Sequence, residues 1–187
     1  MQINLTWDLF IIVFFTLILS YSFIIGYNKT MKIILSSYIA ILVADGIGNL
    51  IFNLIFRDFP ELNVFFFKEN DPVFIIFKIS LFIISLVILS VRGGFEVEGV
   101  EAESSLHEII YTLMFGALSA LLIISVILVF ASGASFLQGG GLDVVNSAIK
   151  SMYDSSMLVQ LIVLNYNLIF IVPATIFVIL SLTSEKE

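Results

Sequence analysis

At 187 residues with a formal net charge of −7, the chain has the length of one ordinary domain, yet 60% of it is hydrophobic and only 12% is charged, with a mean hydropathy of +1.14. Soluble domains run at roughly 45–50% apolar and about 25% charged, so this composition excludes a water-soluble globule and leaves lipid as the medium that the excess must face. The acidic balance offers no basic face for nucleic acid, and the lack of cysteine excludes disulfides, thiolate metal sites and a cysteine nucleophile.

Five segments reach the roughly 20 apolar residues that a membrane helix needs. The opening "MQINLTWD" lacks the positive region of a signal peptide, so the first apolar run is expected to persist. That run covers about residues 9–27, with Thr6 as its N-cap and Trp7 suited to the headgroup boundary. The second covers about 33–56. It forms either one span or, if the helix opens at Gly46 to Gly48, two half-helices or a re-entrant loop. The third, about 72–91, opens at "NDPVF", where Asp71 can cap and Pro72 takes the first helical position, at which a missing N–H costs nothing. The fourth, about 106–131, opens at "SSLHE", where Ser105 and Glu108 have capping-box spacing, and ends in "ASGAS". Within it Gly116, Ser119 and Ala120 form a small-residue face suited to contact with another helix. The fifth, about 157–182, contains Pro173, which is tolerated in lipid if a neighbouring helix or water takes the freed carbonyl. Asn165 and Asn167 read as interfacial or interhelical hydrogen-bonders.

The predicted architecture is all-α: a single integral membrane domain over 1–187, built as a multi-pass helical bundle of about five spans. Its connections are short. "RDFPELNVFFFKEND" sets Phe65, Phe66 and Phe67 between charges, as a segment lying among headgroups would. Residues 142–153, "LDVVNSAIKSMY", place Leu142, Val145, Ile149 and Met152 at helical spacing and predict a short amphipathic interfacial helix. "FEVEGVEAESSLHE" alternates with period two, which suits a small surface hairpin; its glutamates and His107 lack calcium-loop spacing and read as a solvated charge run. No metal or cofactor is expected. Placing the first and third connections on one side with the C-terminus gathers Lys29, Lys32, Arg92 and Lys186 there, against Arg57, Lys68 and Lys150 opposite. That slight bias puts the C-terminus in the cytoplasm and the N-terminus outside.

The second span carries the main candidate site. Residues four apart share a helix face, so Asp45, Asn49 and Asn53 form one polar stripe, extended by Ser37. A lone carboxylate within the bilayer costs about 2.5–3.5 kcal/mol on insertion scales, so it must face protein or water and find a partner. Gly46 and Gly48 beside it either let another helix approach closely or open the backbone onto a cavity. Two readings stand: an ion, proton or solute contact centred on Asp45, or a polar clasp between helices. Lys78 is the one cation inside another span. Counted from the span ends it lies about 10 Å from Asp45 in depth, so snorkelling to the interface is its expected fate and pairing with Asp45 the alternative. No arrangement of nucleophile, base or phosphate-binding loop is present, and the chain is expected not to be an enzyme.

The first two spans, "WDLFIIVFFTLILSYSFIIGYNKTMKIILSSYIAILVA", resemble the colicin V production protein family. The resemblance lies in Asp8 opening the first span, Gly26 closing it, the basic turn with Lys29 and Lys32, and a second span following at once. It covers about a quarter of the chain. The chain departs from that family's usual four spans by offering a fifth, and its turn has one glycine and no arginine. The resemblance implies a non-enzymatic protein of the bacterial cytoplasmic membrane linked to secretion or envelope physiology, and it carries over no site residue. The expected partners are the lipid bilayer and a membrane-protein partner or a second copy of the chain, with no nucleic acid. The rival reading is a small channel or transporter subunit that uses the Asp45 stripe.

Overall fold

The computed structural model describes residues 6–58, 72–94, 104–137 and 149–184. Among them lie seven helices and no strand: α1 (Trp7–Ile25), α2 (Tyr27–Asp58), α3 (Pro72–Arg92), α4 (Ser105–Ala131), α5 (Lys150–Ser155), α6 (Met157–Leu164) and α7 (Tyr166–Ser184). The protein is an all-α helical bundle. Four of these helices are long and apolar enough to cross a membrane, and α6 with α7 makes a fifth if the bent pair is counted as one span.

The helix ends follow from local chemistry. Thr6 Oγ1 accepts from the Leu9 N–H at 3.3 Å and starts α1. Pro72 is the first residue of α3, while Asp71 lies outside the described residues. In α4 the cap is Ser104, one residue earlier than the expected Ser105: its hydroxyl accepts from His107 N–H, and Ser105 is already helical. Gly26 (φ +81°) and Gly133 (φ +80°) take left-handed backbone that other residues resist, turning the chain sharply after α1 and after α4.

Helix α4 is the centre of the bundle. Of its most apolar stretch 67% is buried, against 11% for α1, which therefore turns most of its surface outward. The small-residue face of α4 meets α1 closely: a Cβ on Gly116 would lie 2.8 Å from Leu19 Cδ1 and 3.0 Å from Ser22 Cβ. Helix α2 packs most extensively on α3. Along α2, Lys32, Ser36, Ala40, Ala44 and Gly48 recur every four residues, a row that winds about 40° round the helix at each step. At one end Lys32 Nζ donates to the Gly93 carbonyl beyond α3 at 2.7 Å, and at the other Gly48 carries the stem of Lys78. Ser36, Ala40 and Ala44 between them are fully buried.

One alternative left open for the spans closes, and one expectation changes. Helix α2 is continuous through Gly46 and Gly48, because the neighbouring chain segments fill the space that the glycines leave. The fifth span is broken instead, with α6 and α7 meeting at 59°. The break falls at Asn165 and not at Pro173. Asn165 Nδ2 donates to the Leu161 carbonyl at 2.7 Å, beside the Asn165 backbone N–H that the same carbonyl accepts, so this bond lies within its own helix. Asn165 and Asn167 are both exposed. Pro173 lies buried within α7, and the carbonyl of Phe170, three residues before it, accepts from the Tyr38 hydroxyl of α2. Of the predicted amphipathic helix over 142–153, only the end is described: Ile149 is buried, Lys150 exposed and Met152 half-buried. Phe65, Phe66, Phe67 and the glutamate run at 96–103 lie outside the described residues.

Candidate functional site

Asp45 and Lys78 form a buried ion pair. Lys78 Nζ lies 2.8 Å from Asp45 Oδ1, with the Asp45 side chain wholly and that of Lys78 almost wholly shielded. Snorkelling is thus not what Lys78 does. The expected mismatch in depth arises from assuming flush helix ends. Asp45 stands about 20 Å from the end of α2 and Lys78 about 9 Å from the start of α3 at 1.5 Å per residue, so α2 outruns α3 by about 10 Å where the two groups meet. A helix of 32 residues, about 48 Å, exceeds a hydrocarbon core of about 30 Å, which leaves α2 room to do so.

Gly48 makes the approach possible. A Cβ at that position would fall 2.8 Å from Lys78 Cε and 3.0 Å from Cγ, so the lysine stem lies across the bare backbone of α2. From there the ammonium donates to Asp45 Oδ1 and to Asn49 Oδ1 at 2.9 Å, and it stands 5.2 Å from the Phe74 ring centroid. The other carboxylate oxygen, Asp45 Oδ2, accepts from the Ser135 hydroxyl and from the Leu137 backbone N–H, each at 2.8 Å. Asn49 closes the ring by donating from Nδ2 to Ser135 Oγ at 3.0 Å.

The network joins α2, α3 and the non-helical segment that follows α4, and its charges sum to zero. Its surroundings are aromatic. Phe82, one turn along α3 from Lys78, meets Phe130, which meets Phe136, which in turn meets Phe170. Such an apolar wall strengthens each polar contact and raises the cost of leaving any group unpaired.

Among the sequence-predicted residues, Asp45, Asn49, Gly48 and Lys78 come together here. Gly46 sits beside them, with Leu137 Cδ1 the nearest atom to a Cβ built on it, at 3.8 Å. Asn53 does not join. It is exposed, two turns further along α2. Ser37 is buried but donates to the Ile33 carbonyl of its own helix. Sequence reasoning missed Ser135 and the Leu137 N–H; the polar break "ASGAS" directly after a span was the available signal. Among the described residues no group of three His, Asp or Glu side chains converges as a metal site would need.

A second polar junction lies near the opening of α1. Asp8 Oδ1 accepts from Ser156 Oγ at 2.6 Å and from Leu158 N–H at 3.0 Å, so the first turn of α1 caps the start of α6. Ser156 itself accepts from Val159 N–H. Comparisons with protein-family models, with curated proteins and with solved structures find no match to this chain.

Proposed function

We propose that this chain is a non-enzymatic, multi-pass protein of the bacterial cytoplasmic membrane, acting as an accessory protein in secretion or envelope physiology, in which the polar stripe on α2 clasps helices together. The observation that carries the clasp is the closure of the Asp45 network: each carboxylate oxygen and each end of the Asn49 amide has a partner on another segment, and Lys78 neutralises the charge. The cellular role rests on the resemblance of the first two spans to the colicin V production protein family.

A second reading, a small channel or transporter subunit, draws on one feature: Asp45 is ligated in part by the backbone of a non-helical segment, as at sites where a membrane protein handles ions. Thermal unfolding and flux into proteoliposomes separate the two. Under the clasp reading, Lys78→Met strands a buried carboxylate and costs about 3–5 kcal/mol, whereas Asp45→Leu combined with Lys78→Met recovers the greater part. Neither the wild type nor the variants should pass protons or monovalent cations faster than empty vesicles. A wild-type flux lost in a folded Asp45→Asn protein would establish the transporter reading instead.

A further inference from the structure

A cavity of about 110 Å³ lies between the first turns of α1, the last turns of α4 and the short helix α5, lined by Phe10, Ile11, Phe14, Leu128, Ala131 and Met152 among others. No polar atom lines it, so a water inside would lack the two to four partners that hold a buried water in place. Its mouth is at Phe10, which is 53% exposed on the outward surface of α1. That surface is mainly apolar, with Val13, Leu17 and Ile24 exposed beside Thr16 and Ser20, and it is the face that a bundle of membrane spans turns to lipid. The cavity is therefore a recess in the lipid-facing surface.

We propose that this recess holds a segment of one acyl chain of a bilayer phospholipid. The depth fits. Phe10 and Phe14 lie about 5–10 Å along the helix from Trp7, the residue suited to the headgroup boundary, which is the level of the upper acyl carbons. At about 110 Å³ the recess is smaller than the roughly 150 Å³ apolar cavity that takes benzene, so it has room for a few methylenes of one chain and not for a whole acyl tail. Met152, unbranched and flexible, forms a wall that adapts to such a chain. Lys150, exposed at the start of α5 two residues away, offers an ammonium to the phosphate of the same lipid.

Trp7, the single tryptophan, stands edge-on to Phe10 with ring centroids 6.2 Å apart and reports on the mouth. The full-length chain would be reconstituted in dioleoyl phosphatidylcholine brominated at its double bonds, extracted, and washed in excess detergent. The wild type should retain one phospholipid per chain by native mass spectrometry, with Trp7 fluorescence still quenched. Ala131→Phe, which fills the recess, should retain none and recover its fluorescence, while Leu17→Phe, on the outward face away from the recess, should behave as wild type. Should Ala131→Phe fail to fold, Met152→Phe serves in its place. Complete loss of lipid from the wild type, or equal retention in the filled variant, overturns the assignment. So does a detergent-resistant dimer that the filling substitution dissolves, because the recess would then belong to a second copy.

Discussion

Gly46 and Gly48 stand two residues apart on α2 and meet different surroundings. Around Gly46 a Cβ finds only an ordinary contact with Leu137 at 3.8 Å, so Gly46→Ala should gain about 0.5–1 kcal/mol from the lower conformational entropy of the unfolded chain. At Gly48 the same methyl would press on a lysine stem held at its far end by Asp45 and Asn49, an overpacking that costs about 1–3 kcal/mol. Thermal unfolding of the two variants in one detergent should therefore move in opposite directions, with Gly46→Ala raised and Gly48→Ala lowered. Equal shifts would show that the Lys78 stem is not pinned. The four-residue spacing of Asp45, Asn49 and Asn53 was legible in the sequence, but it says only that they share a face. Which of them is covered depends on where α3 and the Ser135 segment lie against that face, and they reach Asp45 and Asn49 while leaving Asn53 exposed.

At the scale of the element, the bent pair α6 and α7 shows how one side chain redirects a span. Helical hydropathy continues across Asn165, yet its amide adds a second donor to the Leu161 carbonyl, beside its own N–H, and its backbone leaves helical geometry (φ −108°, ψ 16°). The start of α6 is held by Asp8 of α1 and α7 by Tyr38 of α2, while both halves also pack on α4. Replacing Asn165 by Leu removes that second donor and should straighten the junction. Spin labels at Met157 and Val178, both exposed, should then separate by about 4 Å more, as expected for the 59° bend at 1.5 Å rise per residue. An unchanged distance would mean that packing on α1 and α2 enforces the bend without help from the amide. Pro173 was the more conspicuous breaker in the sequence, but proline is tolerated inside membrane helices, and here it stays within α7, where Tyr38 of α2 bonds the Phe170 carbonyl just before it.

For the whole molecule, the ends of the helices sort the connections into two sets. The turn at Gly26 and the end of α3 are neighbours, since Lys32 just inside α2 reaches Gly93. Lys29, Lys32 and Arg92 therefore belong to one end of the bundle, as the charge count assumed. If α6 and α7 together cross once, the C-terminus returns to that same end. Reporter fusions at Glu103 and Lys186 should then both score cytoplasmic by the excess of basic residues there. Opposite locations for the two would make the bent pair a re-entrant segment and the number of crossings four.

The sequence by itself determined the medium and the class of fold: apolar runs of about 20 residues, bounded by Thr6 and Pro72, can bury their backbone polar groups in lipid only as helices. It also marked Asp45 as a group that must find a partner, because an isolated charge among apolar residues is too costly to leave alone. What only the tertiary structure decided is which partner. Depth counted along each helix placed Lys78 out of reach, and the pairing emerges from the stagger of α2 against α3, from the passage that Gly48 opens for the lysine stem, and from a turn at Gly133 that brings Ser135 and Leu137 back over the carboxylate. Those are relations between segments up to 92 residues apart in the chain. Local periodicity carries no information about them, because helix stagger is set by packing between surfaces and not by the spacing within either one.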